Sequence, residues 1–207
     1  MARLTLANPW ATSAALRGVG AWEYLVRREG RKARCAAALA MGLAGSIAPF
    51  VIAEEPESAI KAAYLTKFAP FVVWPATAYA NAKAPLVICV QGADPFGGEL
   101  DRLSAGKRMG PHPIIVRRIE TLAPDSGCHI AYVAGSPAQP AAAALKAVAQ
   151  APVLTVTDEE IPGGGKGIVR LFLSNGRVRF AIDPHMASRA GLTISSKLRA
   201  LAMEPGR

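Results

Sequence analysis

Residues that usually carry out chemistry are scarce in this sequence. Its 207 residues include three histidines and three cysteines, and charged residues make up 19% of the chain. There is no G-x-S-x-G motif, which presents the nucleophile in a large class of hydrolases, and no cysteine and histidine spacing typical of a zinc site. The glycine-rich segment 163–167 lacks the Ser or Thr that follows the lysine of a phosphate-binding loop, and a strand rather than a helix is predicted after it. We therefore expect no catalytic activity, no metal and no cofactor.

The remaining polar candidates have simpler structural explanations. The acidic run 158–160 has no second acidic cluster with which to complete an oxygen cage around a cation, so we expect it to be a solvated loop. Ser136 precedes a proline instead of opening a helix, His112 lies between two prolines, and His185 is predicted in the first turn of a helix. None of these residues belongs to a recognisable catalytic set.

Acidic residues are outnumbered by basic ones, 15 against 24, which gives a formal net charge of +9. Seven of the basic residues and two of the acidic ones fall in residues 1–53, so the N-terminal segment contributes much of the excess. No RNA-binding, zinc-finger or basic-helix pattern accompanies the charge. The sequence therefore predicts no nucleic-acid partner.

The N-terminal segment has the layout of an export signal. A basic run is followed by 19 mostly apolar residues that end in a small-residue cleavage sequence at Ala53. We expect residues 27–53 to be a cleaved signal peptide, although the apolar stretch also approaches the roughly 20 residues that an uncleaved membrane anchor needs. Residues 1–26 have no pattern of their own and are either an extension or a start assigned too far upstream.

Strands alternate with helices along residues 54–207, which contain no Pro/Ser-rich linker. Alternation of this kind favours an α/β domain with a mainly parallel sheet flanked by helices. We therefore predict a single α/β domain. Its predicted strands are 86–90, 114–119, 129–133 and 153–156, and its predicted helices are 58–73, 94–103 and 141–149.

An antiparallel hairpin is predicted near the C-terminus. Asn175-Gly176 lies between two alternating apolar runs, and this dipeptide suits a two-residue type I′ turn, which needs positive φ at both central positions. Asp183 and Ser195 are placed to cap two short helices after the hairpin. The expected cross-strand pairs on the apolar face are Leu173 with Val178, Leu171 with Phe180, and Val169 with Ile182.

The other face of the hairpin is the candidate partner-binding surface. It carries Phe172 between Arg170 and Arg179, and aromatic residues and arginines are enriched at the energetic centres of protein interfaces. Since this face also carries Ala181, we expect it to be half solvated or to meet another surface, and we expect Phe172 to be open to a partner. The first helix offers a competing aromatic surface through Phe68, but its apolar residues follow one helical face, so core packing explains them better.

Cys89 and Cys128 are the two cysteines outside the predicted signal peptide. The first lies in a predicted buried strand and the second immediately before another strand. In an oxidising compartment such a pair is commonly a disulfide. Two separate buried thiols, or less readily a metal site, are the alternatives that the residues leave open.

Six segments carry a family resemblance over roughly residues 58–203. In chain order they are KAAYLTKFAPFVVWP, PLVICVQGADPFG, CHIAYVAG, PVLTVTD, GIVRLFLSNGRVRFAID and AGLTISSKLRALA. Each segment alone is weak, but the ordered set resembles the YfiR family of small periplasmic regulators.

The resemblance implies a non-enzymatic exported protein that binds the periplasmic portion of an inner-membrane diguanylate cyclase and represses cyclic-di-GMP synthesis. The partner could also be another membrane sensor, and self-association into a homodimer stays open. By position, Cys89 and Cys128 match the disulfide-forming pair of the family. A second cysteine pair that some relatives carry near the glycine-rich turn is absent between Asp158 and Leu171. A periplasmic small-ligand-binding accessory protein is the alternative function, because an α/β sheet offers a crevice at its strand ends.

We predict that the exported protein begins near Glu54. N-terminal sequencing of the protein recovered from the periplasm checks this. Recovery of the intact basic segment 27–34 in the membrane fraction would establish an uncleaved anchor instead.

Overall fold

The computed structural model describes residues 56–159 and 165–203. The predicted signal peptide, residues 1–26 and the start of the glycine-rich turn lie outside the described residues. The described helices are α1 Glu57–Phe68, α2 Gly98–Ser104, α3 Ala141–Ala147, α4 Pro184–Arg189 and α5 Ser196–Leu201. The described strands are β1 Val72–Val73, β2 Leu86–Gly92, β3 Arg108–Met109, β4 His112–Ile119, β5 Ile130–Gly135, β6 Leu154–Asp158, β7 Val169–Ser174, β8 Arg177–Ile182 and β9 Thr193–Ile194.

One seven-stranded sheet organises the described residues, in the order β3-β4-β2-β5-β6-β7-β8. Its five central strands are parallel, while β3 and β8 pair antiparallel at the two edges. β1 and β9 form a separate antiparallel pair. The prediction of an α/β domain with a mainly parallel sheet and an antiparallel C-terminal hairpin is confirmed.

Strand β2 is apolar along most of its length because both of its faces are covered. Ile88 and Val90 belong to the larger core, which α1, α2 and the C-terminal helices cover. Val87 and Cys89 belong to a smaller core on the other face, beneath α3. A continuous apolar run is the expected pattern for a strand buried in this way.

The C-terminal hairpin has the predicted register. Residues pair from Ser174 with Arg177 to Val169 with Ile182, in steps of one residue. Asn175 and Gly176 both have positive φ, 51° and 68°, as a type I′ turn requires. The two predicted caps are present as well: an Asp183 carboxyl oxygen accepts a hydrogen bond from the Met186 amide, and the Ser195 hydroxyl accepts one from the Leu198 amide.

α1, α2 and α3 are each shorter than the sequence predicts, and α3 ends two residues early. α1 ends at Phe68 and passes into a 3-10 turn that contains Pro70, because proline has no amide hydrogen with which to continue the helix. α2 begins at Gly98 and not after Asp94, since the Asp94 carboxylate accepts hydrogen bonds from the Phe96 amide at 2.7 Å and from Arg118 at 2.9 Å. Phe68 is buried, as the core assignment of this helix predicts.

A buried ion pair joins α1 to the end of β6. The Lys61 ammonium hydrogen-bonds to the Asp158 carboxylate and also contacts Glu57, one turn earlier on the helix. Burial alone would lower the pKa of Lys61, but the hydrogen bonds to Asp158 and Glu57 outweigh burial and raise it. Asp158 is only 8% exposed, so its expected place in a solvated loop is wrong. Glu159 is exposed, and Glu160 lies outside the described residues.

Cys89 and Cys128 are joined by a disulfide, with their Cα atoms 5.8 Å apart. Cys89 lies in β2, and Cys128 lies two residues before the start of β5, the strand that pairs with β2 in parallel. Both residues are buried in the core beneath α3. The covalent bond therefore reinforces the pairing of β2 with β5 near the amino ends of the strands.

Reduction of this disulfide should lower the free energy of unfolding by roughly 3 to 4 kcal/mol, because the bond closes a loop with a sequence separation of 39 residues. Denaturant titration of the unreduced protein and of a Cys89→Ala/Cys128→Ala variant measures the difference. A peptide map of the unreduced protein should contain the linked peptides, and two freely alkylated thiols in air-exposed native protein would contradict the pairing.

Candidate functional site

The crevice at the carboxyl ends of the parallel strands is the first place to look for a ligand, because open α/β sheets bind ligands there. In this chain Gln91, which is 0% exposed, fills that position. Its side-chain amide donates to the carbonyls of Glu120 and Gln139, both at 3.0 Å, and its side-chain oxygen accepts from the Gly135 amide at 3.0 Å. Every polar atom of the Gln91 side chain is therefore bound within the protein.

Close backbone contact narrows the same end of the sheet further. Gly92 has a φ of +82°, and a Cβ atom built on it would lie 1.9 Å from the Gly135 carbonyl oxygen, so this position accepts only glycine. Ser136 serves the adjoining turn, since its hydroxyl donates to the Glu120 carbonyl and accepts from the Gln139 amide. These groups hold the strand ends together and leave little there for a substrate to bind.

The histidines do not form a catalytic or metal-binding set. His112 and His129 lie on opposite sides of the Tyr79 ring, whereas His185 lines a groove at the base of the hairpin. Among residues 56–159 and 165–203, no three His, Cys, Asp or Glu side chains are placed to hold a metal ion.

The face of the hairpin predicted to bind a partner combines Arg170, Phe172 and Arg179. Phe172 is paired across the strands with Arg179, and Arg170 with Ala181, so all four side chains point to one side of the sheet. Arg170 and Arg179 are half-buried. A carboxylate oxygen of Glu159 lies 3.9 Å from the Arg170 guanidinium, which is beyond hydrogen-bond distance.

Phe172 is only 5% exposed, so the expectation that it is open to a partner is wrong. The hairpin alone would leave one flank of β7 free, but in the sheet β7 lies between β6 and β8. The pairing with β6 ends at Leu171, the residue before Phe172, and across β8 Phe172 pairs with Arg179. Arg170 and Arg179 are the residues of the predicted set that remain partly exposed.

A groove of about 440 Å³ opens at the base of this face. Lys166 and Arg170 place two positive charges in its lining, whereas the one acidic side chain, Asp183, accepts a hydrogen bond from the Met186 amide at the start of α4. Apolar side chains complete the wall, namely Ile168, Ala181, Ile182, Pro184 and Met186. The groove therefore suits a carboxylate next to an apolar group.

Sequence reasoning did not identify three residues that hold the sheet together. Gln91, Gln139 and His129 act through partners more than 15 positions away along the chain, such as Gly135, Leu122 and Val87. A buried glutamine within an apolar strand was the one available hint, because buried polar groups need hydrogen-bond partners.

No described helix is both long and apolar enough to cross a membrane. A search of the curated proteins finds no match to this chain.

The model of the DUF4154 family, described as YfiR/HmsC-like, matches residues 58–203. The match begins in α1 and continues to the residues after α5, and it contains the whole seven-stranded sheet, the disulfide and the hairpin. The chain belongs to the YfiR/HmsC-like family.

Proposed function

We propose that this protein is a non-enzymatic periplasmic regulator that binds the periplasmic portion of an inner-membrane diguanylate cyclase and represses cyclic-di-GMP synthesis. Family membership over residues 58–203 is the observation that carries the proposal, because the family is known for regulators of this kind. Residues 54–207 would form the exported domain after removal of the signal peptide at 27–53. An N-terminal membrane anchor in place of cleavage would leave the same domain in the periplasm.

The use of polar groups within the described residues supports action by contact. Gln91 and Ser136 are committed to hydrogen bonds at the strand ends, where a substrate would otherwise bind. The Asp158 carboxylate is committed to Lys61. The pairing of these three side chains within the protein leaves the exposed surface as the place for contact with a partner.

The partner would contact the hairpin face through Arg170 and Arg179. Arginine binds carboxylates with two parallel hydrogen bonds and is favoured at interface centres. The ion pair of Arg170 with Glu159 spans 3.9 Å between partly exposed groups, and pairs of that kind contribute little to stability. Exchange of Glu159 for a carboxylate of the partner would therefore cost little.

The groove supports a second candidate function, a small-ligand-binding accessory protein of a membrane receptor or transporter. Its volume of about 440 Å³ falls within the range of small-molecule sites. Lys166 and Arg170 would hold the carboxylate of such a ligand, and Met186 would contact its apolar part. In the first function the hairpin face binds a protein partner, whereas in the second the groove binds a small acid. The two functions therefore differ in which of these ligands changes the activity of the membrane protein.

Reversal of both charges on the hairpin face, in an Arg170→Glu/Arg179→Glu variant, should weaken binding to the periplasmic portion of the cyclase by at least about tenfold. Repression of cyclic-di-GMP synthesis should be lost in the same variant. Calorimetric titration with the cyclase segment and a cellular cyclic-di-GMP assay measure the two effects.

The matched control is Lys107→Glu/Lys197→Glu, which makes the same change in net charge at two exposed lysines, one next to β3 at the opposite edge of the sheet and the other in α5. The control should retain both binding and repression. Binding by the arginine variant within twofold of the wild type would remove the hairpin from the interface. Stabilisation of the wild type by a small carboxylate, with no binding of the cyclase segment, would favour the accessory-protein function.

A further inference from the structure

Three aromatic rings are stacked at the amino end of the sheet. The Tyr79 ring lies between two imidazoles, with its centroid 4.0 Å from that of His112 and 4.4 Å from that of His129. The Trp74 indole meets the His129 ring edge-on at 6.1 Å. His129 is 4% exposed, so its imidazole is enclosed by this cluster. Trp74 and Tyr79 belong to the connecting segment 74–85, which holds no strand.

His129 extends the hydrogen bonding of β2 with β5 by one residue. The paired residues of these strands begin at Ile88 and Ile130. Just before them, the His129 amide donates to the Val87 carbonyl at 2.9 Å, and the Val87 amide donates to the imidazole Nδ1 at 3.2 Å. The imidazole thus takes the place of a backbone carbonyl as the acceptor for Val87.

The same residue holds the segment 74–85 in place. The Trp74 indole nitrogen donates to the His129 carbonyl at 3.2 Å, and Tyr79 stacks on the His129 ring. On the far side of Tyr79, the His112 Nδ1 lies 2.6 Å from the Ala84 carbonyl oxygen, so this nitrogen carries the proton. The two histidines therefore need opposite tautomers, with the proton on Nε2 in His129 and on Nδ1 in His112.

Protonation of His129 is incompatible with this arrangement. An imidazolium ion has two N–H donors and no acceptor, so the Nδ1 proton would point at the N–H of Val87. The ionisable groups on the neighbouring segments are His112, Tyr79, Lys83 and Asp125, and the last two side chains are exposed. A positive charge on His112 would add repulsion across the Tyr79 ring.

We propose that His129 is an acid-sensitive latch, whose protonation breaks the hydrogen bond from Val87 and releases the segment 74–85 from the amino end of the sheet. In the exported regulator, release of the segment 74–85 would alter repression. Only this link between release and repression rests on the proposed function. The latch itself is a property of the free protein. Its failure and the failure of the regulatory role are therefore separately measurable.

The direction of the pH dependence follows from the burial of the ring. Burial lowers the pKa of His129, the nearby Ala78 backbone opposes this effect, and the charge of His112 lowers the pKa further. The folded protein therefore binds a proton at His129 less readily than the unfolded chain does. Stability from this group is complete above the unfolded pKa near about 6.5, and it is lost as the pH falls below that value.

Histidine NMR on the full-length protein tests the latch directly, because the chain has three histidines. At pH 7 the His129 ring should carry its proton on Nε2, and on acidification it should titrate below the ordinary range of a histidine, because burial lowers its pKa. The Val87 amide and the Trp74 indole resonances should shift together with the His129 titration. A His129 ring that titrates in the ordinary range of an exposed histidine, near about 6.5, or Val87 and Trp74 signals that do not follow its titration, would overturn the proposal.

A His129→Gln variant keeps an oxygen acceptor for Val87 but has no group that titrates near neutral pH. Relative to this variant, the wild-type folding equilibrium constant should fall by up to about tenfold per pH unit below pH 6.5, as exclusion of one proton requires. Equal pH dependence in the wild type and His129→Gln would contradict the latch, and the NMR titration decides the question if that variant does not fold.

Discussion

The pairing of β2 with β5 is the constraint on which the rest of the structure depends. In the sheet, β2 lies between β4 on one side and β5 on the other. Side chains secure the β2–β5 pair at both ends: His129 and the Cys89–Cys128 disulfide at the amino end, and Gln91 at the carboxyl end. Backbone hydrogen bonds in a parallel pair are slightly weaker than in an antiparallel one. The His129 hydrogen bond, the disulfide and the Gln91 hydrogen bonds compensate for this weaker backbone pairing at the centre of the sheet.

Because the centre of the sheet is closed at both ends, the proposed contact with a partner is assigned to the edge of the sheet. The carboxyl-end crevice, where many α/β proteins bind ligands, is filled by Gln91 and narrowed by the contact of Gly92 with Gly135. The hairpin lies at the opposite side of the sheet from β3 and β4, with two parallel strands between β2 and β7. The arginines proposed to contact a partner therefore lie away from the central pairing.

The sequence predicted what depends on neighbouring residues. Asn175-Gly176 fixed the hairpin and its register, Asp183 and Ser195 fixed two helix starts, and apolar runs located the central strands. Sequence reasoning failed where the burial of a side chain depends on residues far away along the chain. Asp158 was expected in solvent because no residue near it in the sequence suggests a partner. Its partner, Lys61, is 97 positions away along the chain but in contact with it in the fold. Phe172 was expected at a partner surface because alternation within a hairpin does not reveal whether its second face is covered, and the residue is buried.

The disulfide determines how far the proposed opening at His129 can spread. Cys128 immediately precedes His129, and Cys89 follows Val87 by two residues, so the covalent bond lies beside the hydrogen bond that protonation would break. With the bond intact, the strands stay within 5.8 Å between the Cα atoms of Cys89 and Cys128, and loosening is confined to the segment 74–85. Without it, the only remaining ties at that end are non-covalent, so acidification and reduction act on the same contact. Local opening of this kind requires far less free energy than global unfolding, which allows the segment to respond while the hairpin face stays folded.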